Sequence, residues 1–346
     1  MGLAISSVLL WAIVPTLLIV VGLRWLDRYE REPWAFCLAS VLAGLIAFGL
    51  AVLLENLLRL PLHIYPATFV VLDELNPWVP IVEQLAKAVS LLGLVFWIGE
   101  EFDDFIDGIF YGALVGAGFA LGQDGIYFAL AYGRFGNIIE VGWPTYLAAV
   151  ISSVNHCLYS AIFGGALGVL RSVARPARYL WLPPAALLVG IGLQLAHDYL
   201  VAFVLTRAGE VPAEALASLG LVANATNWLG IAALGLLVAI AWTRQLHVLQ
   251  VELASEVAAG VISDEDYRVL LSGWGRLPRE ARFAVARGLR RSLQLRRYHE
   301  LAAELAFAKW HRRLGGRFGL RRRLPPEEYR QQLQTLRAEL FGAGGG

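Results

Sequence analysis

The sequence predicts an all-α, polytopic membrane protein with about seven transmembrane helices and a helical C-terminal domain. Three observations carry that prediction. The 346 residues are 58% hydrophobic and only 16% charged, with a mean hydropathy of +0.59, whereas a soluble domain is roughly 45–50% apolar and about 25% charged. The chain also contains apolar runs long enough for a bilayer core, which needs roughly 20 helical residues. Finally, its charge is segregated. Residues 1–242 hold 10 Arg/Lys against 17 Asp/Glu, net −7, and residues 243–346 hold 19 against 11, net +8. The overall +1 is therefore a cancellation between an acidic apolar body and a basic tail. This composition excludes a disordered chain and an ordinary soluble enzyme, and it argues against nucleic acid as the main partner.

Seven runs qualify as spans: about 3–22, 35–54, 78–99, 107–130, 145–170, 180–205 and 219–242. The first has no basic segment before it and no small-residue cleavage site, so it reads as an anchor rather than a removable signal. Arginine sets the orientation. Arg24, Arg28 and Arg31 lie between spans one and two, and Arg171, Arg175 and Arg178 between spans five and six. The alternate connections carry one each, at Arg59, Arg134 and Arg207, and the acidic stretch 100–105 carries none. With seven spans the arginine-rich loops and the tail share one side. That side is expected to be the cytoplasm of a bacterial-type cytoplasmic membrane, with the N-terminus outside. The domains are then a transmembrane body, 1–242, and a basic helical cytosolic domain, 243–346.

Small residues predict where the spans pack. Gly108, Gly112 and Gly116 recur every four residues, as do Gly118 with Gly122, and Ser160, Gly164 and Gly168. Such spacing lets helix backbones approach closely in lipid. Cys37 and Cys157 lie in separate apolar runs and suggest neither a disulfide framework nor a metal-type pair.

Ionisable side chains inside spans are costly and mark functional candidates. Glu83 and Lys87 stand four residues apart on one face of the third span, with Gln84 beside them. Lys87 is one of only two lysines beside 27 arginines. A self-satisfied ion pair is the bland reading, but desolvation can exceed its Coulomb gain. The fourth span holds Gln123 and Asp124, the latter expected to be an unpaired acid in an apolar helix; the fifth holds Asn155 and His156, the sixth His197 and Asp198. Counting from the outer ends of the spans, Glu83 lies roughly 8 Å deep, Gln123 roughly 10 Å, His197 about 12 Å and His156 about 16 Å. Four helices thus converge on one outward-facing polar site. A carboxylate near a cation and two imidazoles can activate water. Glu83, His156 and His197 could instead hold a metal, zinc being the first to suit them, or the cluster could relay protons or ions.

At these residues the chain resembles the PrsW-type intramembrane proteases, relatives of the CAAX prenyl endopeptidases and of a polytopic γ-secretase subunit. The likeness begins at Trp25-Leu-Asp27-Arg28-Tyr29-Glu30-Arg31-Glu32-Pro33 and continues in Glu83-Gln84-Leu-Ala-Lys87, where the family has Glu-Glu-x-x-Lys. It extends through the glycine-rich Asp107–Ala120 to His156 and His197, which stand where the family has its histidines. In all it covers about residues 20–205. Three positions depart from the pattern. Gln84 replaces the second glutamate, Gln123-Asp124 stands where the family has Glu-Asn, and Val201 stands where Asn or Asp is usual. An amide keeps the shape and hydrogen bonding of a carboxylate but cannot act as a base.

The resemblance implies an intramembrane peptidase-like protein that hydrolyses or binds membrane-anchored protein substrates near the extracytoplasmic face. Glu83, Lys87, His156 and His197 would be catalytic, with Gln84, Gln123, Asp124 and Asn155 as auxiliaries. The alternatives are a catalytically inactive pseudoprotease that binds or regulates membrane proteins, and a small transporter or ion relay.

The tail shows acidic helix starts at Ser263-Asp-Glu-Asp and Pro325-Pro-Glu327-Glu328. Between and after them run Arg290-Arg291, Arg296-Arg297, Arg312-Arg313 and Arg321-Arg322-Arg323 among Leu, Phe, Trp and Tyr. Such a domain either presents a solvated charged face or contacts anionic lipid.

Overall fold

The computed structural model describes residues 2–26, 29, 32–60, 76–99, 102–135, 142–173, 175–207, 222, 224–272, 275–313 and 324–342. Among them the elements are α-helices and one 3-10 turn, Pro176–Tyr179, with no strand. The helices are α1 (Gly2–Leu26), α2 (Trp34–Leu57), α3 (Trp78–Ile98), α4 (Phe105–Phe135), α5 (Gly142–Ser172), α6 (Leu182–Arg207) and α7 (Ala225–Ala258), followed by α8 (Asp264–Leu271), α9 (Arg276–Arg287), α10 (Leu289–Arg313) and α11 (Pro326–Phe341). The protein is an all-α, integral membrane protein. Among the described residues, six stretches are long and apolar enough to cross a bilayer: Trp34–Leu57, Trp78–Ile98, Phe105–Leu130, Val150–Ser172, Pro176–Phe203 and Ala225–Ala258. In α1 the described apolar stretch, Trp11–Arg24, is shorter than a span. Asp27, Arg28, Glu30, Arg31 and Arg321–Arg323 lie outside the described residues.

The chain divides into two compact units, Met1–Leu26 with Pro33–Leu236, and Asp27–Glu32 with Leu237–Gly346. In the first, α4 is the most enclosed helix and packs against α5, α2 and α1. The glycine stripe explains this. A Cβ on Gly112 would collide with the Ser160 carbonyl, and one on Gly164 with that of Gly108. The α4 and α5 backbones therefore lie against each other without intervening side chains. Gly112→Leu is expected to cost about 3 kcal/mol or more through overpacking, read as a lower thermal midpoint in detergent. Gly93→Leu, where a Cβ meets nothing within 4 Å, serves as the neutral control.

The acidic connection before α4 has a local role. Asp104 Oδ1 accepts hydrogen bonds from the Ile106 and Asp107 amides at 2.6 and 2.9 Å. Asp107 Oδ2 reaches back to the Asp103 and Asp104 amides at 3.0 and 3.1 Å. These two carboxylates satisfy donors at the helix start and complement its dipole. Leu38, Leu42, Ile46 and Leu53 on α2, Phe96 on α3 and Leu229 on α7 are exposed, while Glu83, Gln84, Lys87, His156 and Gln194 are buried. Apolar outside and polar inside is the pattern expected of a bundle in lipid. Cys37 and Cys157 are buried free thiols.

In the second unit, Leu249, Leu253, Leu270, Leu295, Tyr298, Leu305 and Leu333 form a closed core. Ser263 Oγ caps α8 by accepting from the Asp266 amide at 3.1 Å, and α11 starts at Pro326, as the acidic starts predict. Helix α7 runs on past the apolar stretch ending at 242 because Gln245–Ala258 is rich in strong helix formers. Its buried Glu256 accepts from Lys309 at 2.7 Å and from Arg330 through two bonds of 2.8 Å.

Candidate active site

Helix α3 supplies Glu83, Gln84 and Lys87, all buried. Residues i and i+4 share a helical face, so Glu83 and Lys87 project together toward α5 and α6. The Lys87 ammonium sits 3.0 Å from Nδ1 of His156 on α5. It also lies over the Phe119 ring of α4, 4.5 Å from the centroid, and 5.7 Å from that of Tyr159. With Lys87 as an ammonium, which has no acceptor, Nδ1 accepts and the imidazole proton resides on Nε2. The Phe119 ring packs against the imidazole, centroids 5.0 Å apart, and holds its plane.

Sequence reasoning missed Gln194. This buried α6 amide donates through Nε2 to Glu83 Oε2 at 2.6 Å. Its Oε1 accepts from Gln84 Nε2 at 2.5 Å. The amide of Gln84 is thus the first member of a relay, Gln84 to Gln194 to Glu83, that orients the carboxylate and ties α3 to α6. Its signal was present in the sequence, since Gln194 precedes His197 by three residues on one helical face.

The structure groups the expected residues unevenly. Glu83, Gln84 and Gln194 form one hydrogen-bonded group and Lys87 with His156 a second, and together these five make up the connected set, which is joined through α3. His197, half-buried one turn beyond Gln194, bears electrostatically on His156, and Asp198 likewise bears on Lys87. Asp124 is not an unpaired acid: Ser153 Oγ donates to its Oδ2 at 2.8 Å. Asn155 donates to Asn224 Oδ1 at 2.8 Å, and Asn227 bonds both Asn224 and the Tyr159 hydroxyl, at 3.0 and 2.8 Å. Neither Asn224 nor Asn227 was singled out from the sequence. Gln123 is buried on α4 beside Asp124.

The residues do not fit a metal centre in this arrangement. Among the described residues no three His, Cys, Asp or Glu side chains are placed to hold an ion. Nδ1 of His156 faces an ammonium, which fills the direction a metal would need, and Nε2 carries the proton. Zinc bound by Glu83, His156 and His197 would require Lys87 to withdraw. What the set can do without one is hold an oriented carboxylate beside a fixed cation and an imidazole N–H, inside a water-poor bundle.

The model of the PrsW family of intramembrane metalloproteases matches residues 32–231, more than half of the chain. The match includes every residue of the connected set. No curated protein and no solved structure matches the chain. The chain therefore belongs to the PrsW family of intramembrane metalloproteases.

Proposed function

We propose that this chain is a working intramembrane peptidase whose base is Glu83 and whose substrates are membrane-anchored proteins. The observation that carries this reading is the 2.6 Å bond from Gln194, which orients a buried carboxylate next to the Lys87–His156 couple. Glu83 removes a proton from water as the water oxygen bonds to the scissile carbonyl carbon and the π electrons move to the carbonyl oxygen. That developing oxyanion is stabilised by the Lys87 charge and the His156 N–H, preorganised donors in a low-dielectric site. The carbonyl then re-forms, the C–N bond breaks, and Glu83 returns the proton to the departing nitrogen. His197 and Asp198 line the same corner and tune its charge. Topologically, the reading sets the site in the outer half of the bilayer, the N-terminus outside and the basic unit in the cytoplasm.

The test is cleavage of a pooled library of single-span reporter peptides in proteoliposomes, with a dye and a quencher flanking the outer end of each helix. Cleavage is expected, and it is expected to survive a zinc chelator; complete loss on chelation, restored by zinc, would return the metal to the mechanism. Gln84→Glu separates this reading from the pseudoprotease. A carboxylate cannot donate to Gln194 Oε1, so the relay breaks and activity is expected to fall about tenfold, the equivalent of one lost hydrogen bond of about 1.4 kcal/mol. A gain of activity would favour an inactive native protein that binds membrane segments without cutting them.

The basic unit is read as contacting anionic lipid. Val285, Leu289 and Leu293 stand exposed at the α9–α10 corner beside exposed Arg290 and Arg291, an interfacial combination. Arg296 and Arg297, by contrast, are engaged along α10 with Glu300 and Glu304 at 2.9 and 3.1 Å.

A further inference from the structure

Tyr159 of α5 touches both members of the Lys87–His156 couple. Its ring centroid lies 5.7 Å from the Lys87 ammonium and 6.1 Å from the His156 ring, which it meets edge-on at 84°. Phe119 of α4 stands against the same two groups, at 4.5 and 5.0 Å. Two aromatic rings therefore contact the buried ammonium, each within the roughly 6 Å over which a ring face attracts a cation. The two rings are held differently. Phe119 is packed among Ala47, Ala51, Val82 and Ala86 and meets Phe48 edge-on at 5.5 Å. Tyr159 is anchored at its hydroxyl, which accepts a hydrogen bond from Asn227 Nδ2 of α7 at 2.8 Å.

Asn227 is itself fixed. The Asn224 carbonyl accepts from the Asn227 and Trp228 amides at 3.0 Å and opens α7. Asn224 Oδ1 accepts from Asn227 Nδ2 at 3.0 Å and from Asn155 Nδ2 at 2.8 Å. Asn227 Nδ2 thus uses both its hydrogens, and Asn224 Oδ1 both its lone pairs. Asn155 and Tyr159 stand four residues apart on one face of α5 and grip the start of α7 through Asn224 and Asn227. This bracket is not built for stability. Among the described residues Asn155 Oδ1, Asn224 Nδ2 and Asn227 Oδ1 have no hydrogen-bond partner, and leaving buried polar atoms unpaired is destabilising. Apolar side chains would join the two helices without that penalty. What the amides supply is direction, because a hydrogen bond fixes both a distance and an angle.

We propose that Asn227 and Tyr159 are positioning residues of the site: Asn227 pins the Tyr159 hydroxyl, and the pinned ring holds the Lys87 ammonium against His156 Nδ1. The inference rests on the peptidase reading for its use in catalysis, though not for its geometry. With its hydroxyl held from α7 and its Cα on α5, the ring cannot swing to another χ1 rotamer and leave the ammonium. An ammonium free to turn away would vacate Nδ1, and the imidazole proton would then distribute between the two nitrogens. The N–H that meets the developing oxyanion would be present only part of the time. Helix α7 in this way completes a site whose reacting groups are carried by α3 and α5.

Two measurements test this. Full-length protein with nitrogen-labelled histidine is placed in lipid nanodiscs without substrate, and the His156 signals are assigned by difference against His156→Gln. Native protein is expected to show one tautomer, protonated on Nε2, and Tyr159→Phe and Asn227→Leu each a mixture. Native His156 signals in both variants overturn the proposal. Tyr159→Phe keeps the ring and the Asn155–Asn224–Asn227 links, and Asn227→Leu is close to isosteric, so both are expected to melt within a few degrees of native. On the reporter library each is expected to lower kcat about tenfold or more and to hold KM within about twofold. The double variant is expected to fall no more than about twofold below the less active single, because both remove one bond. Losses that multiply overturn the proposal, as does a native kcat in either variant; a large loss in Tyr159→Phe alone would make the phenol itself the acting group. Should native protein cut no reporter, the peptidase reading fails on its own, and the NMR still decides whether Asn227 and Tyr159 hold the couple.

Discussion

Glu83→Gln is expected to lower reporter cleavage by about 10³-fold or more, the range of a lost general base, while the protein stays folded. The introduced amide is isosteric, and its oxygen can still accept the Gln194 bond that Glu83 Oε2 accepts at 2.6 Å. The helix contacts are therefore kept and only proton uptake is removed. A thermal midpoint within a few degrees of native, together with retained crosslinking to the reporter, would show that binding survives. Cleavage at the native rate would overturn the assignment of Glu83 as base.

Lys87→Met is expected to show the second largest loss, about 10²-fold or more in kcat, with little change in stability. Two opposing terms set that balance. Removing the lysine leaves His156 Nδ1 without its donor, at about 1–3 kcal/mol, but it also removes a buried ammonium whose desolvation costs a comparable or larger amount. A purely structural ion pair would behave oppositely, with stability lost and activity kept. Nitrogen NMR of His156 supplies a readout independent of substrate, because Nδ1 loses the contact that fixes its tautomer. Lys87→Arg is not expected to rescue, since a planar guanidinium is larger and directs its donors differently.

Much of this arrangement is legible in the sequence because lipid makes polar residues conspicuous. Glu83, Lys87 and His156 stand out in apolar runs, and the helical period places the first two on one face. Other members are hidden for identifiable reasons. Gln194 looks neutral because an amide carries no charge signal, although its bond orients the carboxylate. Asn224 and Asn227 lie inside the last predicted span without a charge to mark them, but they join α7 to Asn155 and Tyr159. Asp124 shows the converse: sequence displays its charge but not the Ser153 hydroxyl, 29 residues away, that accepts the task of satisfying it by donation. Long-range pairing of uncharged groups leaves no trace in periodicity or composition.

The glycine-lined contact of α4 with α5 has a mechanical corollary. Two helices that touch backbone to backbone cannot shear past each other without collision, so they behave as a rigid plate. His156 and Phe119 are mounted on that plate, whereas Glu83 is carried by α3 and its orienting amide by α6. Where a flexible joint is needed to admit a substrate helix, the compliant seam is the one held by Gln84, Gln194 and Glu83, whose hydrogen bonds can break and re-form without moving a backbone through a backbone. Loading a substrate and aligning the base would then be a single motion. The relay, closed in this structure, would open to admit the polypeptide and re-form once it is seated.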